Sequence, residues 1–184
     1  MQRKLSALAL ESGVDKIANG MRGSYIPALA VGIGVVAGLR ALTAPAVLAL
    51  AADRGMVRLG SSPLAAIISA KASKRITDFA VSELIADKLP FTPSRLNAAP
   101  LASRVVSGAI CGAAIYGIVK QSLAEGAVLG GLGALAGAFA GYHARKRLSR
   151  NLPDLGVAVL EDALAIGGGV LVTALASASS EDDG

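Results

Sequence analysis

The stretch from Leu123 to Tyr142, LAEGAVLGGLGALAGAFAGY, most constrains what this chain can fold into. It is apolar apart from one acidic residue near its start, and it is followed directly by the basic sequence HARKR. A run of about 20 apolar residues that ends at a basic cluster predicts a membrane-spanning helix whose last residues face the cytoplasm. A buried, alanine-rich helix of a soluble protein is the alternative, but the same pattern recurs along the chain and disfavours it.

The overall composition supports an integral membrane protein. Hydrophobic residues make up 53% of the 184 residues and charged residues only 17%, whereas soluble domains carry about 25% charged residues. The net charge is +5, but most basic residues flank apolar spans, where they set orientation. Tryptophan is absent, and Phe and Tyr number three each, which disfavours a base-stacking surface. We therefore expect no nucleic acid partner.

Few residues suit catalysis. The chain has one histidine, His143, and one cysteine, Cys111, and no recognisable nucleophile or metal-ligand spacing. A single cysteine permits no internal disulfide, so we assign Cys111 to packing. The run Gly167–Gly169 lacks the context of a phosphate-binding loop and fits helix packing better. The sequence therefore predicts neither an enzyme nor a bound cofactor or metal.

The chain divides into three regions. Residues 1–24 predict an amphipathic segment on the cytoplasmic surface of the membrane, and their apolar run is too short for a signal peptide. Residues 25–178 form a single transmembrane domain, and residues 179–184 are expected to be a disordered acidic tail. We expect a multi-pass protein of a bacterial inner (plasma) membrane with a cytoplasmic N-terminus.

The fold class predicted is an all-α integral membrane protein with about five membrane helices. They are expected at residues 25–52, 64–89, 101–119, 123–142 and 155–176. The first is broken, because Arg40, Thr43 and Pro45 interrupt it. Arginine near mid-membrane costs about 3 kcal/mol unless it is paired or hydrated, and Pro45 frees a backbone carbonyl one turn earlier, for which Thr43 is a candidate donor. This pattern indicates either a polar site or a snorkelling arginine at a kink.

The helix predicted over residues 64–89 is amphipathic. Its polar side chains share one face, namely Lys71, Lys74, Arg75, Asp78 and Ser82. It lies at the membrane interface or crosses with that face toward water or protein. Near its end Glu83 and Asp87 stand one turn apart, a spacing at which two carboxylates can share a cation, pair with arginines or remain solvated.

Small residues recur every fourth position in several spans. The glycines assigned to close helix packing are Gly34, Gly38, Gly108, Gly112, Gly133, Gly137 and Gly141. Such spacing forms a groove that lets a second helix approach, and in lipid close packing largely replaces the hydrophobic effect. We therefore expect Gly/Ala-zipper packing, and a homo-oligomer as a consequence of the remaining zipper faces.

An internal repeat is suggested by two stretches of the form G-h-G-h-h-A-G, residues 32–38 and 131–137, where h is apolar. The repeats would be inverted two-helix units, 25–90 and 123–178, linked by the span 101–119. Five crossings from a cytoplasmic N-terminus obey the positive-inside rule and run the first and fourth spans in opposite directions.

A rival topology has three true spans. In it, residues 26–52 form a re-entrant hairpin bent at Arg40 to Pro45, and the helix 64–89 lies on the cytoplasmic surface. This arrangement places still more basic charge inside, so both topologies stay open from the sequence.

Three motifs carry a family resemblance. They are GLRALTAPAVLAL (Gly38 to Leu50), ELIADKLP (Glu83 to Pro90) and GALAGAFAG (Gly133 to Gly141). With them the chain resembles an uncharacterised family of small bacterial multi-pass membrane proteins, a domain of unknown function, over most of residues 25–178. The resemblance implies an integral membrane protein, supplies no activity, and suggests that Arg40, Glu83, Asp87 and Lys88 belong to the family pattern.

Two functions follow from these patterns. The first is a transporter or channel for an ion or small polar solute, because ionisable residues at membrane depth are costly and commonly functional. Its candidate site residues are Arg40, Glu83, Asp87, Glu161 and Asp162. We expect Glu83 and Glu161 to face each other across the repeat interface, with Arg40 as counter-charge. The alternative is a structural or lipid-interacting oligomer that binds anionic headgroups and whose charges only pair with one another.

Overall fold

The structure, a computed structural model, describes residues 25–57, 98–150 and 153–181 and consists of helices joined by short turns there. The helices are α1 (Tyr25–Leu39), α2 (Thr43–Asp53), α3 (Ala98–Ile118), α4 (Leu123–Leu148) and α5 (Asp154–Glu181). Three of them are long and apolar enough to cross a membrane, at Ala99–Ile118, Leu123–Leu148 and Leu155–Ala178. The prediction of an all-α, membrane-type fold is confirmed.

Several predictions concern parts of the chain outside the described residues. These are the amphipathic segment 1–24, the helix 64–89 with its carboxylates Glu83 and Asp87, and the last three residues of the acidic tail. The first three residues of that predicted tail, 179–181, belong to α5.

The first predicted span is two helices that double back on each other. Val36 of α1 and Val47 of α2 lie at the same level of α5, both about 3.5 Å from the position that a Cβ on Gly169 would take. Helix α1 is antiparallel to α5, since Gly32, which precedes Val36, faces Val172, which follows Gly169. In contrast, α2 is parallel to α5, since Arg54, which follows Val47, lines one groove with Ala174, which follows Gly169. Helices α1 and α2 therefore form a hairpin whose tip is Arg40-Ala41-Leu42.

This hairpin differs from the single crossing of the five-span interpretation and matches the bend of the rival topology. Each of its helices has between 10 and 17 residues, or roughly 15–26 Å of length, which is less than a bilayer core of about 30 Å. Pro45 lies in the first turn of α2, where no intrahelical N–H bond is lost. The hydropathy of the sequence locates the break between α1 and α2 but does not determine the direction of α2.

Glycines bring α4 into backbone contact with helices on two sides. On one side Gly126 and Gly130 lie against Gly112 and Gly108 of α3, so that a Cβ on any of the four would come closer than 3.0 Å to a backbone atom. Residue numbers fall along α3 as they rise along α4, so these two helices are antiparallel. Packing this close requires residues without side chains, as in other small-residue helix interfaces of membranes.

On its other side α4 meets α1. Gly133 and Gly137 lie against the backbone of Val31 and Val35. In return, the glycines of α1 that pack against the α4 backbone are Gly34 and Gly38. Residue numbers rise together along the two helices, so α1 and α4 are parallel. The inverted repeat requires the first and fourth spans to run in opposite directions, and this pair of helices does not show that relation.

The bundle consequently has two distinct ends. One end, here called the basic end, carries the hairpin tip, the start of α3 and the run Arg145–Arg147 at the end of α4. The opposite end carries Tyr25, Met56 and the turn at Lys120. The topology prediction placed the N-terminal segment and the basic run on the same side, whereas Tyr25 and Arg145 lie at opposite ends. Val57 and Ala98 also lie at opposite ends of the bundle.

Candidate functional site

Arg40 is the most deeply buried charged side chain of the described residues, with 0% of its surface exposed. Its backbone N–H donates to the Val36 carbonyl over 2.9 Å and closes the last turn of α1. Its guanidinium nitrogen Nη2 donates to the carboxylate of Asp162 on α5. This ion pair joins the hairpin tip to a helix long enough to cross a membrane. A snorkelling arginine would be exposed to the interface, so the structure favours the polar-site alternative.

The ion pair lies within the apolar span of α5. Asp162 is seven positions beyond Leu155, where the span begins, which corresponds to about 10 Å along the helix. Asp162 is 14% exposed, so protein surrounds both partners. A charge pair at this depth is stabilised by a charge-assisted hydrogen bond and must offset the desolvation of both groups.

Two side chains of α3 satisfy backbone carbonyls around the hairpin tip. Arg104 Nη1 donates to the Gly38 carbonyl over 3.2 Å, and the Ser107 hydroxyl donates to the Ala41 carbonyl. The Ala41 carbonyl is the one that lies a turn before Pro45. Since α2 begins at Thr43, this carbonyl belongs to the hairpin tip, and Pro45 removes no helical bond from it. We expected Thr43 to be its donor, and the structure assigns that bond to Ser107. The open carbonyls at the end of α1 thereby obtain donors from a neighbouring helix.

Glu161 points to a different neighbour from Asp162. Its carboxylate oxygen Oε2 lies 3.7 Å from Nη1 of Arg145 on α4. Its other oxygen, Oε1, lies 3.2 Å from the place of a Cβ on Gly141, so glycine there leaves room for the carboxylate. Successive helix residues point about 100° apart, which explains why adjacent carboxylates reach different helices. Arg40, the predicted counter-charge of Glu83 and Glu161, thus forms an ion pair with Asp162, and Glu161 lies beside Arg145.

Together these side chains form one polar group near the basic end, here called the tip cluster. Its members are Arg40, Arg104, Ser107, Arg145, Glu161 and Asp162. Helices α3, α4 and α5 contribute side chains to the tip cluster, and α1 contributes the Gly38 carbonyl that accepts a hydrogen bond from Arg104. Of the predicted site residues, Arg40, Glu161 and Asp162 come together here. Glu83 and Asp87 lie outside the described residues.

Sequence reasoning did not assign Arg104, Ser107 or Arg145 to the site. Arg104 and Ser107 are three residues apart and therefore share one face of α3, a signal that was available in the sequence. Arg145 belongs to a run of basic residues, and the positive-inside rule explains such a run without any buried contact. Its inward contact depends on how α4 and α5 are rotated, which no local pattern specifies.

The chemistry of the tip cluster is that of ion pairs and hydrogen bonds. Among the described residues, no group of three or more His, Cys, Asp or Glu side chains could hold a metal ion. The arrangement offers guanidinium groups to anions and carboxylates to cations, at membrane depth.

Comparison with known proteins gives one match. No curated protein and no solved structure matches the chain significantly. A family model described as a domain of unknown function, DUF4126, matches residues 28–178. The matched region contains the hairpin from residue 28 onward, the three long helices up to Ala178 and all six residues of the tip cluster. The prediction of an uncharacterised family is thus confirmed, and the chain belongs to the DUF4126 family.

Proposed function

We propose that this protein moves a small ion or polar solute across a membrane by way of the tip cluster. One observation carries the proposal. Arg40, with 0% of its surface exposed, sits at the tip of a hairpin of two short helices and pairs with Asp162 on a spanning helix. Many transporters and channels build their sites where discontinuous helices meet at membrane depth, since irregular backbone there must be buried in protein or line a cavity.

A hairpin tip with a purely structural role would not need buried charges. Burying an arginine at membrane depth costs about 3 kcal/mol or more on insertion scales, and replacing a buried ion pair by apolar residues of similar volume is often neutral or stabilising. A hairpin that only filled space would therefore be more stable with apolar residues at positions 40 and 162. Retention of both charges is better explained by a binding role.

In the proposed mechanism a solute competes with the ion pair. A cation that binds the Asp162 carboxylate takes the place of the Arg40 guanidinium, and an anion that binds Arg40 takes the place of the carboxylate. Either event loosens the hairpin tip from α5, because the ion pair is a polar link between them. Solute binding is thereby coupled to movement of the hairpin. The movement is driven by the difference in solute affinity between the docked and the released position of the hairpin.

The test is flux into proteoliposomes under an imposed membrane potential, with sodium, potassium, chloride and protons as probes. The decisive variant is Arg40→Met with Asp162→Leu, which removes both charges and leaves neither partner buried alone. Glu125→Gln is the matched control, because Glu125 is an exposed acid at the start of α4. We expect flux above that of protein-free liposomes in the parent and the control, and its loss in the double variant.

Two results would contradict transport. One is a double variant that conducts as fast as the parent. The other is a parent protein that passes none of the four probes faster than liposomes without protein.

A second candidate is a structural or lipid-interacting membrane protein that forms the homo-oligomer predicted from the zipper faces. The observation that favours it is charge pairing, since both carboxylates of the tip cluster already contact an arginine. Apolar side chains on the outside of α5, such as Leu164 and Leu171, are exposed and suit lipid or a second copy. In this case neither the parent nor the double variant shows flux, and both assemble to the same size in detergent.

A further inference from the structure

A groove between α2 and α5 lies at the end of the bundle away from the tip cluster. It encloses about 200 Å³. Most of its lining is apolar, with Val47 and Leu50 on the hairpin and Ile166 and Val170 on α5. Two polar side chains interrupt this lining, Arg54 and Thr173. Neither residue belongs to the tip cluster or has a role in the proposed transport.

Thr173 supplies the first sign of a ligand. The residue is 2% exposed, and within the described part of the chain its hydroxyl oxygen has no hydrogen-bond partner. A threonine inside a helix usually bonds the carbonyl one turn earlier, and a buried hydroxyl without a partner is unfavourable. Thr173 lines this largely apolar groove, so the acceptor group of a ligand bound there is a candidate partner for its hydroxyl.

Arg54 supplies the second sign. It is exposed at the end of α2, and no ion pair with another described residue involves its guanidinium. The neighbouring Asp53 is also exposed, so attraction at this rim comes from the forked donor geometry of arginine rather than from excess charge. That geometry matches phosphate oxygens.

The depth of these groups in the membrane defines the ligand. Ala174, which shares the groove with Arg54, is four residues before the end of the apolar span of α5, or about 6 Å from it. The apolar part of the groove extends from there to Ile166, about 12 Å further into the membrane. The groove thus presents a cationic donor at headgroup level, a hydroxyl below it and an apolar channel beneath.

We propose that this groove binds one phospholipid molecule. Its phosphate contacts Arg54, an ester carbonyl accepts a hydrogen bond from Thr173, and one acyl chain lies along Val47, Ile166 and Val170. The order of polar, ester and hydrocarbon groups in a glycerophospholipid matches the order of donors and apolar side chains along the groove.

The groove between α4 and α5 at the basic end is a weaker candidate. It is smaller, at about 100 Å³, and Glu161 lies in its lining beside Arg145. A buried carboxylate repels a phosphate group, and the guanidinium of Arg145 there already lies 3.7 Å from that carboxylate.

The experiment is native mass spectrometry of the purified protein in detergent with added phosphatidylglycerol at a fixed molar ratio. We expect one tightly held lipid per chain in the parent protein. Arg54→Gln should lower the bound fraction about fivefold, because the phosphate loses its forked donor. Val170→Trp should lower it similarly by filling the channel.

Matched controls separate this site from lipid that coats any membrane protein. Lys120→Gln removes a positive charge at the same end of the bundle, and Val159→Trp adds the same bulk to another exposed position of α5. Both should retain the bound lipid. The proposal is overturned if Arg54→Gln and Val170→Trp hold as much lipid as these controls, or if all four variants lose it equally.

Thr173→Val gives an independent readout. Without lipid this variant should unfold at a higher temperature than the parent, because it removes an unsatisfied hydroxyl while keeping the side-chain shape. With phosphatidylglycerol the parent should be stabilised more than the variant, by mass action. Equal lipid-induced shifts in the two proteins would contradict the contact. The variant Arg40→Met with Asp162→Leu should still bind the lipid, so failure of transport and failure of this site are distinguishable.

Discussion

Arg40 and Asp162 stand 122 residues apart in the sequence and form an ion pair that holds the hairpin tip against α5. Because Arg40 has no exposed surface, removal of Asp162 takes a counter-charge from a guanidinium that water does not reach, and removal of Arg40 takes the arginine from a carboxylate inside the bundle. The hairpin and the long helices should therefore lose stability together.

The first prediction concerns this pair. Arg40→Met alone and Asp162→Leu alone should each lower the free energy of unfolding by about 3–5 kcal/mol, whereas the double variant should recover most of that loss. Reversible unfolding in mixed micelles measures the three values, and a double-mutant cycle gives the coupling energy between the two residues. Losses that simply add would show that the two side chains do not act as a pair.

The sequence was sufficient to predict the membrane-type helical fold, because length and hydropathy alone identify spans near residues 101–119, 123–142 and 155–176. It also placed the break of the first span at Arg40, since arginine and Pro45 are both unfavourable inside a continuous membrane helix. It did not give the direction of α2 or the partner of Arg40. The direction of α2 and the partner of Arg40 both depend on how α5 is rotated about its axis. No local sequence pattern distinguishes Glu161 from Asp162 as that partner.

The second prediction tests the close approach of α4. Gly130 lies against the α3 backbone at Gly108 and Gly112, so Gly130→Ala should destabilise the protein by about 1–3 kcal/mol through overpacking. Gly167→Ala is the matched control, because nothing lies within 4 Å of its added Cβ. There the better helix propensity of alanine should raise stability by about 0.5–1 kcal/mol.

Thermal unfolding of the two variants in one detergent decides the matter. The substitution is the same, so its effect on the unfolded chain is shared, and the difference between them reports the helix contact. If Gly130→Ala proved as stable as Gly167→Ala, α3 and α4 would not be in backbone contact at this level.

The third prediction concerns the Ala41 carbonyl at the hairpin tip. Ser107→Ala removes a donor to the Ala41 carbonyl and should cost about 1 kcal/mol, because a buried hydrogen bond is lost. Ser103→Ala is the control one turn earlier, where the exposed hydroxyl bonds the Pro100 carbonyl of its own helix over 2.8 Å. That change should stay within about 0.5 kcal/mol. Chemical denaturation that gave the same small loss for both would argue against the bond from Ser107.

The fourth prediction addresses the hairpin in the membrane. Single cysteines at Tyr25, Met56 and Ser149, all exposed, are placed in a Cys111→Ala background and labelled with a membrane-impermeant maleimide. Since α1 and α2 return to the same end of the bundle, Tyr25→Cys and Met56→Cys should react from one side of the membrane. Ser149→Cys follows the run Arg145–Arg147 and should react from the other, which the positive-inside rule makes the cytoplasmic side.

Lys120→Cys serves as a marker for the end opposite Ser149, because Lys120 lies in the turn between α3 and α4. Intact cells should therefore label positions 25, 56 and 120, and inverted vesicles should label position 149. Reaction of positions 25 and 56 from opposite sides would mean that residues 25–57 cross the membrane once. The Arg40–Asp162 pair would then need a different arrangement of α5, because a continuous span cannot place both Val36 and Val47 beside Gly169.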